Sequence, residues 1–175
     1  MKNKFILTSL LSAVALIGVA NAQTGSGTLG VTATVQGSIN LTFVTDASGL
    51  AVTGTGTSTA SLPFGSVSMY SGTVPANVTK TIGATSFSLS TPFDVRVDLA
   101  NSASTTYTLT ATLATADSIN TWWLGAIDIS AAAPHALTAA GEFGVAVPYT
   151  FKLTVPASAT AGLISNSINF TAVGG

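Results

Sequence analysis

Cysteine is absent from this 175-residue chain, and histidine occurs once, as His135. Those two facts exclude disulfides, thiolate zinc or iron–sulfur sites, and any multi-histidine metal centre. Charge is almost as scarce. Five Lys or Arg and six Asp or Glu make up 6% of the chain, against about 25% in an average soluble domain. A nucleic-acid binder clusters Lys and Arg to displace counterions from phosphates, and here there is nothing to cluster. Convincing helical periodicity is missing too. What the chain has instead is 48 Ser and Thr and 47% hydrophobic residues. That is too apolar for disorder driven by charge, and its polarity comes from hydroxyls.

Part of the apolar content is an address label. Lys2 and Lys4 precede the apolar run Phe5 to Val19, and Ala20-Asn21-Ala22 follows with small-x-small spacing. This is the pattern of a secretory signal peptide over residues 1–22, cut between Ala22 and Gln23. The run is shorter than the roughly 20 apolar residues that span a bilayer. No cysteine follows it for a lipid anchor. The expected address is secreted, from periplasm to cell surface, with no membrane attachment after cleavage. Removal leaves Lys80, Arg96 and Lys152 against six acids. Residues 23–175 then form one domain, long enough to bury about 70% of its unfolded surface without disulfides.

The remaining sequence reads as strands. Leu29, Val31, Ala33 and Val35 alternate with Gly30, Thr32, Thr34 and Gln36, and the same phase continues past Gly37 to Ile39, Leu41 and Phe43. Period-two alternation marks a half-buried strand, or two strands with Gly37 as a bend. It recurs at Phe87–Leu89, Phe93–Leu99, Tyr107–Leu113, Trp123–Ile129, Val147–Val155 and Ile164–Ala172. Turn chemistry separates these runs at Asp46–Gly49, Ser71-Gly72, Asn101-Ser102, Ala140-Gly141 and Ala161-Gly162. The Gly/Thr/Ser stretch from Gly49 to Thr59 reads as a flexible or edge hairpin with slack register. Frequent Val and Thr fit the strand reading. The pattern predicts an all-β chain folded as an antiparallel sandwich or barrel.

Catalytic constellations are nearly absent. His135 sits in an Ala/Pro stretch that reads as a solvent-facing loop, and no G-x-S-x-G elbow accompanies it. An enzyme would have to pair it with an Asp or with Glu142. Asp94 and Asp98 share a strand face with Arg96 between them, and read as the solvated side of a strand whose other side is Phe93, Val95, Val97 and Leu99. Asp46, Asp117 and Asp128 lack the spacing of a calcium loop, and Asx turns account for Asp46 and Asp117. The sequence predicts no catalytic residues, no cofactor and no metal. Trp122 and Trp123 are adjacent, so on a strand they face opposite ways. One should be buried; the other packs on its own side, covers an edge, or stands exposed as a stacking platform for sugar. Thr-x-Thr runs at Thr32/Thr34, Thr53–Thr59 and Thr106–Thr112 reflect β propensity rather than a ladder. Asn40, Asn77 and Asn169 head glycosylation-type triplets that a Thr-rich chain produces near chance.

Four segments occur in a telling order: VTATVQGSINLTF (Val31–Phe43), Ser61-Leu-Pro-Phe64-Gly65, YTLTATL (Tyr107–Leu113) and VPASATAGLISNSINFTAV (Val155–Val173). Together they resemble the spore-coat-protein-U-like secreted domains, which include subunits of archaic chaperone–usher pili. The family's usual cysteine pair is missing, with Ile39 near where the first would stand. The resemblance implies an immunoglobulin-like Greek-key sandwich and a structural role at the cell surface. An incomplete sandwich can accept a strand from a neighbour, and a head-to-tail contact that does not close builds a filament. Residues 23–36 are the candidate donor, with Leu29, Val31, Ala33 and Val35 as knobs. The alternative is that this segment pairs as the first strand of its own sheet. The expected function is a non-enzymatic filament or coat subunit that associates with itself or other surface subunits. A secreted carbohydrate-binding or adhesin module using an exposed Trp is the second expectation.

Overall fold

The structure is a computed structural model that describes residues 29–175; the signal segment and the Ala22–Gln23 cleavage point lie outside the described residues. Contacts group the chain into Met1–Thr34 and Val35–Gly175, and the fold below is that of the second unit. It is all-β, with nine strands in two antiparallel sheets.

The organising element is β3, Ser86–Ala100, whose alternation buries Phe87, Leu89, Thr91, Phe93, Val95 and Val97 on one side. Three strands pair with it. On one side β8 (Ala146–Pro156) runs along most of its length. On the other, β2 (Thr79–Ile82) covers its first half and β1 (Ser38–Val44) its second. The gap between β1 and β2 falls at Pro92, where proline has no N–H to donate to a ladder. Thr91 is buried there but satisfied: its hydroxyl accepts from the Leu50 amide at 2.6 Å and donates to the Asn77 carbonyl at 3.0 Å. Gly49 lies so close to the Pro92 carbonyl that a Cβ would collide with it. Beyond β8 come the short strands β5 (Thr121–Leu124) and β6 (Ile127–Asp128), giving the order β1-β3-β8-β5-β6.

The second sheet has the order β7-β4-β9. Its centre is β4 (Tyr107–Leu113), with Tyr107, Leu109, Ala111 and Leu113 buried and Thr108, Thr110 and Thr112 on the other side. β7 is His135–Gly141 and β9 is Ile168–Gly174. The buried faces of both sheets meet in one cluster, in which Val95, Val97, Leu109, Ala111, Leu113 and Ile129 are fully enclosed. This is the layering of a β-sandwich.

Three local expectations are corrected. His135 is not in a solvent-facing loop; it opens β7 and is half-buried. Ala140-Gly141 is not a turn but the end of the same strand, where Gly141 lets the Tyr107 ring lie against the backbone. The alternation over Leu29–Phe43 does not form one long strand: β1 starts only at Ser38, after Gly37, whose added Cβ would meet the Asn101 carbonyl at 3.0 Å.

Candidate functional site

Two strands leave an edge open on the same side of the sandwich. β1 is hydrogen-bonded in its ladder only to β3, and β9 only to β4, yet β1 and β9 touch across the two sheets. In an antiparallel ladder alternate residues direct their N–H and C=O groups to opposite sides. Gly175 donates to Thr106 at 2.9 Å and Ala114 to Ser167 at 2.7 Å, so the odd-numbered residues of β9 bond to β4. The backbone groups of Ile168, Phe170, Ala172 and Gly174 therefore face the open side, with no backbone partner among the described residues. On β1 the Phe43 amide points away from β3 and donates to the Thr57 carbonyl at 2.9 Å. By the same alternation Ile39 and Leu41 present their backbone groups to the open side.

The side chains along this flank are apolar. Leu41 and Phe43 from β1, and Ile168, Phe170 and Ala172 from β9, pack half-buried against the core. Ile39 is 37% exposed. Phe170 meets Phe43 edge-on at 5.2 Å and Phe93 at 6.0 Å, bridging from the small sheet to the large one. At one end of the flank Gly37, Ser38, Ile39, Leu99, Ser102, Ser104 and Gly174 line an open cavity of about 350 Å³. An unpaired row of backbone donors and acceptors beside half-covered apolar side chains is a template for an added strand.

The candidate donor residues lie in a segment with the matching chemistry. Residues 29–37 belong to no strand and every one is exposed. Leu29 is 87%, Val31 81% and Val35 70% exposed. Apolar side chains at every second position on an unpaired chain are what an open sheet edge binds.

The remaining sequence-derived candidates are held apart from this flank. Trp122 is buried in β5, where its indole Nε1–H donates to Asp117 Oδ2 at 2.8 Å. Trp123 faces the opposite side and is half-buried, with the Lys152 ammonium 4.3 Å above its ring. That cation already occupies a face that a sugar would need. Asp117 accepts from the amides of Ile119 and Asn120, both at 2.9 Å, and from the Asn120 side chain at 3.0 Å. Burial pushes its pKa up, but these bonds and the indole outweigh it and bring it down to about 2. Asp128 is lowered by the hydroxyl and amide of Ser130. With Asp117 it lines a shallow depression of about 540 Å³. His135 Nε2 is buried without a partner. Arg96 pairs with Asp98 at 2.9 Å on the exposed side of β3. Asp94 departs from the solvated role expected of it: burial raises its pKa, as do the charge of Asp46 and a hydrogen bond shared with it. Asp46 is lowered by the Ser48 hydroxyl and amide. Among the described residues no three His, Asp or Glu side chains are grouped to hold a metal ion.

The alternation of Leu29 to Val35 marks a strand-like segment in the sequence. The open β1/β9 edge is not legible there, because β1 and β9 are 124 residues apart at their nearest ends, and periodicity does not report which edges a fold leaves unpaired. No family model, curated protein or solved structure matches the chain.

Proposed function

We propose that this chain is an exported, non-enzymatic structural subunit that assembles by strand complementation. The segment 23–36 of one copy, exposed over its described residues 29–36, lies along the β1/β9 flank of the next. The observation that carries this reading is the complementarity of two surfaces: an unpaired arm with apolar residues at every second position, and an unpaired edge backed by half-covered apolar side chains. A head-to-tail contact of this kind does not close on itself and extends into a filament. The strand order supports the finer fold reading as well. β1-β3-β8-β5 in one sheet and β4-β9 in the other follow the immunoglobulin constant-type order, with β7 added beside β4 and the strand beyond β9 left out. The incoming arm supplies that strand. Export rests on the signal pattern of residues 1–22.

The same flank explains why so few charges are useful. Subunit contacts that bury ionised groups must offset a large desolvation cost, and the apolar positions and hydroxyls of arm and flank carry none. Deleting residues 23–35 is expected to leave a folded β-domain that no longer forms filaments in negative-stain micrographs. Filaments of normal length and abundance from the deleted chain would sink the donor-arm reading.

A further inference from the structure

The open flank is partly covered by the chain itself. The segment Thr53–Thr59 folds back along the free edge of β1 and forms an isolated antiparallel bridge between Thr57 and Phe43. Phe43 donates its amide to the Thr57 carbonyl at 2.9 Å and accepts from the Gly56 amide at 2.6 Å. Just beyond the strand, the Thr45 amide donates to Thr55 Oγ1 at 3.0 Å. These bonds use edge positions of β1 that an incoming strand would otherwise occupy.

At its base the segment is closed by a second bridge, in which Thr53 and Ser61 exchange backbone bonds at 3.0 and 2.9 Å. Every residue from Thr53 to Thr59 is exposed, so its attachment buries no side chain of its own. Gly54 and Gly56 stand at φ +84° and +79°, conformations that L side chains disfavour. The Thr57 hydroxyl ties the loop to itself, donating toward the carbonyls of Gly54 and Thr59. Directly beneath it, Phe43 makes the edge-on contact with Phe170 that links β1 to β9.

We infer that Gly54–Thr57 is a displaceable strap: in the free subunit it occupies the β1 edge at Phe43, and an incoming strand must remove it to zip along the whole flank. This rests on the strand-complementation reading and adds its regulation. The free subunit covers part of its own edge and so resists untimely pairing, a known hazard of open sheet edges. A strap held to β1 by two backbone bonds and one amide-to-hydroxyl bond yields to a strand that offers equivalent backbone bonds plus apolar side chains.

The test uses the full chain after signal removal and a labelled synthetic peptide of residues 27–37 as the probe. Gly56→Val disfavours the left-handed backbone, and an added Cβ there meets nothing within 4 Å, so the body is spared. It is expected to capture the peptide about tenfold faster than the wild type, the effect of weakening roughly two backbone hydrogen bonds. In the opposite direction, Thr45→Cys with Thr55→Cys allows a disulfide that pins the strap, in a chain with no other cysteine. The oxidised form should capture about tenfold more slowly, and reduction should restore the rate. Equal capture rates in the wild-type, released and pinned forms would overturn the strap while leaving strand complementation standing. No capture by any form would remove both. Recovery on reduction separates pinning from misfolding in the double variant.

Discussion

At the scale of single residues, the few charges do structural work. Asp117 collects hydrogen bonds from two amides, one carboxamide and the buried Trp122 indole, and so fixes the turn that leads into β5. Truncation by Asp117→Ala strands the indole N–H in the core and should cost about 2 kcal/mol at neutral pH. Its pKa, lowered from 3.8 to about 2, sets the sign of the acid response. The carboxylate's contribution is complete above its unfolded pKa and is lost as pH falls from about 5 toward 2. Asp94 runs the other way. Its raised pKa favours the protonated form in the fold, so its contribution is complete at low pH and is lost as pH rises through the raised value. Denaturant titrations at pH 7 and pH 3 should show the Asp117→Ala deficit shrinking on acidification. A deficit of equal size at both would contradict the charged-acceptor role.

At the scale of elements, the legibility of the sequence followed burial. β3 and β4 bury one face almost completely, and the alternation of Phe87 to Val97 and of Tyr107 to Leu113 marked both in advance. β7 escaped because its packing is irregular: its register against β4 shifts twice, and Ala-Ala-Gly at its end carries no period-two signal. Leu29 to Val35 shows the opposite case, a clean alternation in residues that join no strand. Hydrophobic periodicity reports that a segment suits a sheet and is silent on which sheet. The fit of β7 to β4 is checkable at Gly141. A Cβ there would run into the Tyr107 ring, which is 1% exposed and has nowhere to move. Gly141→Ala should therefore destabilise the fold by about 2–3 kcal/mol, read from the shift in urea midpoint. A change below about 0.5 kcal/mol would mean that Tyr107 is not confined by β7.

At the scale of the whole molecule, the scarcity of charge acquires a specific meaning. A sandwich with one flank unfinished, and a neighbouring segment of chain composed like a strand, has little use for ions and much for Thr, Val and Ala. Arg96–Asp98 stays on the exposed side of β3, and Lys152 lies over Trp123, so the cations Arg96 and Lys152 are already engaged away from the flank. Stability of the body comes from the shared core of the two sheets, and in the proposed function the edge that this core leaves half-covered is where assembly occurs.

The most direct measurement of that account is disulfide mapping between different chains, which the absence of native cysteine makes clean. Thr32 and Thr34 alternate with the apolar residues of the arm, and Asn169, Thr171 and Val173 are the exposed positions of β9. Thr32→Cys or Thr34→Cys in one chain, mixed with Asn169→Cys, Thr171→Cys or Val173→Cys in a second chain of different tag, can then report pairing without touching the apolar knobs. The account predicts that filaments formed from at least one such mixture contain a cross-linked heterodimer joining arm to β9. Filaments that assemble normally, with no arm-to-β9 cross-link in any mixture, would contradict it.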